Sequence, residues 1–154
     1  MSLAAVNLPK YATTINGGVC QIGYSGYTVQ PTTLGVDGGS NDCKVCYTAG
    51  AFGGIVETLI ASTNDTAAVN VFIYLLSGTT VHPLGIVNVP LSSGNAANVP
   101  SVDLINGISG LPINSAYKKY IPLQANMNLK VGVLAAMTAN KFLLVKSTGL
   151  DFVA

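Results

Sequence analysis

The sequence predicts an all-β protein, an antiparallel β-sandwich of jelly-roll type with little helix. Short runs of β-branched and aliphatic residues alternate with clusters of Gly, Asn, Ser and Thr, which is the pattern of strands separated by turns. No stretch shows the i, i+3, i+4, i+7 apolar spacing of an amphipathic helix with capping residues at its ends. About eight short strands over one core fit two packed sheets.

The first 50 residues are the least regular part of the chain, and we expect them to form an irregular N-terminal arm or partial strands. Strands are predicted at 11–15, 19–24 and 27–29, with a turn at Asn16-Gly17-Gly18 between the first two. The glycine-rich stretch 32–42 reads as a flexible loop or arm. The β-sandwich domain is expected to occupy 51–154.

Two strongly β-favouring runs, 55–61 and 69–76, are separated by a polar turn at 62–66, so they predict an antiparallel hairpin. Alternate side chains of a strand lie on opposite faces, and both faces of the second run are mostly apolar. This strand should therefore be central in the sandwich or covered by a neighbouring subunit. One face carries Val69, Val71, Ile73 and Leu75, and the other carries Asn70, Phe72, Tyr74 and Leu76.

The remaining elements follow the same reasoning. A turn at 77–79 leads into a strand at 81–89, and the segment 102–105 is predicted to be a single turn rather than a strand. The last strands are expected at 120–123, 129–136 and 142–146, with 138–141 as a hairpin connection.

The composition restricts the classes of function. The chain has 154 residues, enough for one domain, with seven Lys and Arg together, all of them lysine, six acids and a mean hydropathy of +0.51. Without a basic field or any arginine, nucleic acid is not expected as a direct partner. No apolar run approaches the roughly 20 residues of a membrane span. So little charge on so apolar a chain predicts a surface largely covered by other protein.

The start of the chain lacks the charged beginning and long apolar region of a secretory signal, so we expect the product to remain in the cytoplasm where it is made. Three cysteines, an odd number, fit a reducing compartment better than a disulfide framework.

The motif Cys43-Lys-Val-Cys46 can in principle hold a redox pair or half of a zinc site. Its β-favouring surroundings are unlike the helix N-terminus of a redox site, and a zinc ion would require Cys20 and His82 as further ligands at unusual spacing. We therefore interpret the cysteines as small buried apolar residues. His82 is the sole histidine, so the sequence predicts no catalytic constellation, no enzyme and no cofactor.

Two polar clusters have alternative interpretations. The stretch 37–42 could offer oxygen ligands to calcium, but it lacks the ligand spacing of an EF-hand, so a turn is favoured. Lys118-Lys119 between two tyrosines is interpreted as a solvated rim. A glycan-binding sandwich is the main alternative class, although the absence of Trp argues mildly against it. Its aromatic platform would come from Tyr24, Tyr27, Tyr117 and Tyr120.

The segment 57–76, ETLIASTNDTAAVNVFIYLL, resembles a strand-turn-strand of small structural proteins of tailed bacteriophages, and 84–90, 120–123 and 129–139 are similar to the same kind of protein. The resemblance covers 53–146. It implies a virion component at the capsid surface, a capsid decoration (cement) protein that binds the major capsid protein or another virion protein. A homo-oligomer, for example a trimer, is expected. A tail or fibre component is the alternative within this class.

Overall fold

The computed structural model describes residues 12–23, 43–135 and 137–153. These residues form two antiparallel β-sheets and contain no helix, which confirms the predicted β-sandwich. The first sheet has the order β1 (Ala12–Gly23), β9 (Phe142–Phe152), β3 (Gly54–Thr63) and β6 (Val102–Asp103), and β7 (Ile121–Leu123) also pairs with β3. The second has the order β2 (Cys43–Thr48), β8 (Asn128–Val133), β4 (Val69–Ser77) and β5 (Thr80–Val89).

The main core lies between the two sheets. Because strand side chains alternate, every second residue of each long strand points inward and the intervening ones point away. The inward residues are aliphatic and almost completely excluded from solvent, and removal of this apolar area from water is the dominant stabilising contribution. Fully buried members include Val56, Leu59, Ile73, Leu129, Val131, Leu143 and Val145.

Strand β4 is apolar on both faces, as predicted, and it lies inside its sheet between β8 and β5. Val71 and Ile73 belong to the main core. On the opposite face Phe72 and Tyr74 stack with ring centroids 5.3 Å apart, in a second apolar cluster with Leu76 and Cys43. All four of these side chains are buried in the single chain. The central position is therefore confirmed, and β4 needs no neighbouring subunit to cover it.

The backbones of the two sheets approach each other closely where β1 passes β2. A Cβ atom added at Gly18 would lie 2.4 Å from the carbonyl oxygen of Cys46, so only glycine permits this approach.

The predicted turn at 16–18 is wrong, because β1 continues through it and pairs with β9 over its whole length. A domain boundary at residue 50 would separate β1 and β2 from the sheets to which they are hydrogen-bonded. The segments 27–29 and 32–42 lie outside the described residues.

Hydrogen bonds of buried and partly buried polar groups stabilise this edge. The Ser147 hydroxyl of β9 donates a hydrogen bond to the Cys46 carbonyl and accepts one from the Gly18 amide at 3.0 Å. The Tyr47 hydroxyl donates to the Asp151 carboxylate at 2.8 Å, and the Asn16 side-chain amide donates to the other carboxylate oxygen at 2.7 Å. Burial, together with the hydrogen bond and negative charge of Asp151, raises the pKa of Tyr47 well above its usual value.

Two predicted hairpins do not form. Strands β3 and β4 belong to different sheets, and so do β8 and β9, so the connections at 64–68 and 134–141 cross the sandwich. The crossovers are joined to each other: the Thr63 hydroxyl donates to the Phe142 carbonyl at 2.7 Å, and the Phe142 amide donates to the Asn64 side chain at 2.8 Å. A polar turn between two strands specifies a reversal of direction but not the sheet to which the second strand belongs.

Asp65 is the buried centre of these crossovers. Its carboxylate accepts hydrogen bonds from the Thr138 amide at 2.9 Å, from the Thr138 hydroxyl and from the Ala67 amide at 3.1 Å. Burial alone would raise the pKa of this carboxyl group, but the hydrogen bonds outweigh it and hold the pKa below its ordinary value of 3.8. A single ionised side chain thus ties together two connections that the sequence places far apart.

The other elements agree more closely with expectation. Strands β4 and β5 pair across the predicted turn at 77–79 and form a hairpin closed by the pair Ser77 and Thr80. The segment predicted as one turn begins with the two-residue strand β6, which pairs with β3, and turns at 104–107. Strand β9 continues six residues beyond the predicted 142–146, and β8 ends at Val133 rather than at 136.

Replacing Gly18 with alanine tests the close approach of the sheets. We expect the Gly18→Ala change to lower the free energy of unfolding by about 1–3 kcal/mol, because the added methyl overlaps the Cys46 carbonyl. Gly85→Ala is the matched control, since a Cβ there would lie 3.7 Å from Ile108, an ordinary contact. Urea unfolding measures both, and equal midpoints for the two variants would contradict the explanation.

Acid should destabilise the crossovers through Asp65. A carboxyl group whose folded-state pKa is depressed contributes stability above its unfolded pKa of 3.8 and loses that contribution as the pH falls through the lower folded value. Asp65→Asn is expected to cost about 1.5–3 kcal/mol at neutral pH and to weaken the dependence of unfolding on acid. Urea midpoints between pH 7 and pH 2 measure both effects. If the urea midpoint of Asp65→Asn fell between pH 5 and pH 2 by as much as that of the original chain, Asp65 would not be the source of the acid dependence.

Candidate interaction surface and binding cleft

Cys20 and Cys46 form a disulfide between β1 of one sheet and β2 of the other, with their Cα atoms 5.3 Å apart. The prediction that the cysteines are reduced is therefore wrong for these two. Both residues are buried in the main core, as small apolar residues would be. The number of cysteines in a sequence does not indicate which strands lie next to each other in the fold. Cys20 and Cys46 are 26 residues apart in the chain, but they lie on the adjacent edges of the two sheets.

The two cysteines of the C-x-x-C motif face opposite sides of β2. Alternation alone would already separate Cys43 from Cys46, and a register irregularity between Val45 and Tyr47 then turns two consecutive residues toward the main core. Cys43 is a free thiol in the second apolar cluster, as predicted for a small buried side chain. The two sulfur atoms of the motif therefore lie on opposite sides of β2, and that of Cys46 is bonded to Cys20.

His82 is exposed at the start of β5 and pairs with Leu75, whose side chain belongs to the main core. Cys43 lies in the cluster on the other side of the same sheet, so the structure does not bring this thiol and the imidazole together. His82 lines a mainly apolar cavity of 440 Å³ at one end of the sandwich. Its other walls are formed by Leu75, Ser77, Pro122, Leu123, Gln124 and Met127.

Within the described ranges, no three His, Cys, Asp or Glu side chains are close enough together to hold a metal ion. The candidate calcium loop at 37–42 lies outside those ranges, as do Tyr24 and Tyr27.

The outward side of the first sheet, which we call the open face, carries a row of apolar side chains in register across four strands. Ile15 pairs with Leu150, Leu150 with Ile55, and Ile55 with Pro122. Ile15 at this edge is 78% exposed. A second row extends from Val19, which is 63% exposed, through Lys146 to Ile60. An apolar sheet surface of this kind is typical of a protein interface.

A polar cleft of 320 Å³ lies at the opposite margin of the open face, beside β3 and β6. Glu57 reaches it from a register irregularity in β3 between Val56 and Thr58, a feature that redirects side chains. Tyr117, which is 90% exposed, stands at its rim on the loop before β7. The complete lining is Glu57, Thr58, Asp103, Asn106, Tyr117, Lys118 and Lys119.

The predicted cluster 117–120 is only partly a solvated rim. Tyr117 and Lys118 are exposed beside the cleft, whereas Lys119 donates hydrogen bonds to the carbonyls of Asn106 and Ile108 at 3.1 and 2.7 Å. Tyr120 is half-buried and does not line the cleft. The sequence interpretation missed Glu57, although one acid inside an otherwise apolar and hydroxylated run, 55–61, was a usable signal.

No protein-family model, curated protein or solved structure matches this chain. In the part of the chain that the structure describes, no helix is long and apolar enough to cross a membrane.

Counting thiols tests the disulfide. When the purified protein is unfolded without reductant and alkylated, we expect modification of Cys43 alone, and of all three cysteines after reduction. Cys20→Ser should lower the free energy of unfolding by roughly 2–4 kcal/mol, because the cross-link restricts the unfolded chain. Cys43→Ser is the control for loss of a buried sulfur. Three alkylated cysteines before reduction would refute the cross-link.

Proposed function

We propose that this chain is a non-enzymatic virion structural protein, a capsid decoration protein that docks on the assembled phage head through its open face. The observation that carries the proposal is the apolar row of the open face. Solvent reaches Ile15, and the paired residues Leu150 and Ile55 are only partly covered, so a docked partner would remove apolar area from water. The resemblance of 57–76 to structural phage proteins suggests what that partner is.

The charge of the open face favours a different protein over a second copy as the partner. In a two-fold symmetric contact centred on this face, the same patch meets itself. Lys146, near the middle of the second row, would then lie close to its own symmetry mate, and like charges at an interface are unfavourable. A major capsid protein that offers a hydrogen-bond acceptor to Lys146 would fit better. Homo-oligomers of the decoration protein would then use other surfaces.

The size of the open face agrees with repeated, individually weak contacts. Its four strands and the distance from Ile15 to Gln21 define an area on the order of 300 Å², from strand spacings of about 4.8 Å and a rise of about 3.3 Å per residue. A stable pair of proteins usually buries about 800 Å² on each partner. Many copies on a symmetric head, linked to one another, would gain the missing affinity through effective concentration.

The strand order supports the jelly-roll assignment. The chain passes from one sheet to the other at β1–β2, β2–β3, β3–β4, β5–β6, β7–β8 and β8–β9. We infer a jelly roll, an architecture of two four-stranded sheets found in viral capsid proteins and lectins. This inference concerns architecture, and a shared architecture by itself assigns no function. It is compatible with a virion protein and also with a carbohydrate-binding protein.

The deciding experiment is cryo-electron microscopy of intact phage particles purified from cells that produce this chain. We expect density for the sandwich on the outer capsid surface, with Ile15 and Leu150 against the major capsid protein. Density in the tail or a fibre would replace the proposal with the alternative structural role. Absence of the chain from purified particles would refute a virion function.

A substitution on the open face tests how the protein docks. Ile15→Asp should weaken binding to heads that lack the protein by at least about tenfold, because the contact would bury an unpaired charge. Leu91→Asp is the matched control, since Leu91 is a comparably apolar, exposed side chain outside the open face. Co-sedimentation with the heads measures both. Equal loss of binding by the two variants, or none by Ile15→Asp, would contradict docking through this face.

A further inference from the structure

We propose that the polar cleft between β3, β6 and the loop 112–119 is a binding site for neutral oligosaccharides, in which the Tyr117 ring packs against a pyranose. This site goes beyond docking on a capsid and does not depend on it. The cleft combines an exposed aromatic ring with both hydrogen-bond donors and acceptors in a concave surface of 320 Å³. That volume lies at the lower end of the range for small-ligand sites, about 300–1,000 Å³.

The backbone at Tyr117 is the first argument for function. Its φ is 60°, the left-handed region that favours glycine or asparagine, and a residue with a Cβ atom there costs about 1–2 kcal/mol. Burial of the ring does not compensate, because the side chain is 90% exposed. Replacing Tyr117 with glycine should therefore raise the free energy of unfolding. The combination of a left-handed backbone and an exposed ring indicates that Tyr117 has a use other than stability.

The loop holds the backbone at Tyr117 in a defined conformation. The Asn114 side-chain oxygen accepts hydrogen bonds from the amides of Ala116 and Lys118 at 2.9 and 3.0 Å. The Tyr117 amide donates to the Asn114 carbonyl at 3.0 Å, which closes the turn. A loop backbone held before binding loses little conformational freedom when a ligand packs on the ring, which favours affinity.

The walls of the cleft are also connected to one another. The Lys119 ammonium group donates to two carbonyls of the turn after β6, so the loop cannot separate freely from the opposite wall. In that turn, Asp103 accepts hydrogen bonds from the Ile105 amide at 3.0 Å and from the Asn106 side chain at 2.8 Å. The Asn106 amide is thereby oriented, with its oxygen left as an acceptor for a ligand.

The charges of the lining identify the class of ligand. Glu57 and Asp103 are balanced by Lys118 and Lys119, so the cleft has no net charge to attract phosphate or a metal ion. Carboxylates, an amide and an ammonium group can together accept from and donate to adjacent hydroxyl groups. The negative face of an aromatic ring attracts the C–H groups on the apolar face of a pyranose. A neutral oligosaccharide satisfies both requirements.

Binding is tested on the isolated, full-length protein by titration followed with NMR and calorimetry. The probes are cellohexaose, maltohexaose and chitohexaose, with inorganic phosphate and calcium as alternatives. We expect at least one oligosaccharide to bind, with Kd between about 10⁻⁵ and 10⁻³ M, and with chemical-shift changes around the cleft. If none of the three binds at millimolar concentration, or if phosphate or calcium binds instead, the proposal is refuted.

The variant Tyr117→Gly separates binding from folding. It should weaken oligosaccharide binding by about tenfold or more while raising the urea midpoint, because the ring is lost and the backbone strain is relieved. Asn126→Gly is the matched control: its φ is 58°, it lies outside the cleft, and binding should not change. Unchanged binding by Tyr117→Gly would overturn the site. A failure of docking on phage heads would leave this result unaffected, so the two proposals fail independently.

Discussion

The close approach of the two sheets where β1 passes β2 is the constraint on which the rest of the sandwich depends. At that edge Gly18 lies directly against the Cys46 carbonyl, and the Ser147 hydroxyl bonds to both backbones. The disulfide from Cys20 to Cys46 closes the same edge covalently. With the two edge strands joined, the remaining strands must place their apolar side chains between the sheets, because a shift by one residue would turn them all outward.

The arrangement of side chains on the outward side of the first sheet follows from the register of its strands. β9 lies between β1 and β3, so its register also aligns the outward residues of three strands and produces the apolar row from Ile15 to Ile55. The crossovers around Asp65 fix the order of the strands, since they carry the chain between sheets at two places and hydrogen-bond to each other. The open face is therefore a consequence of packing inside the sandwich, whereas the cleft is held in addition by the hydrogen bonds of Asn114, Lys119 and Asp103.

The sequence predicted those features that depend on local pattern and missed those that depend on which strands meet. Alternation identified β4 and its two apolar faces, and the hairpin to β5 followed from a short turn. The glycines at 17 and 18 were interpreted as a turn because glycine signals chain reversal and close backbone approach with the same residue. The disulfide and the two crossovers involve strands distant in sequence. The cleft needed a bulge at Glu57 and a left-handed Tyr117, neither of which has a local signature.

The scarcity of charge has two physical origins that composition alone cannot separate. The apolar residues on both faces of β4 are buried in the chain itself, so they account for part of the hydropathy without any partner. The apolar side chains of the open face differ from those of β4, because Ile15 and Val19 remain exposed to solvent. Their exposure is unfavourable, and no contact within the chain offsets it. Of the few charged side chains, four gather around the cleft and one is buried at the crossovers. The apolar rows of the open face and the charged lining of the cleft therefore lie side by side on one sheet, so the mean hydropathy of the chain averages over surfaces of opposite character.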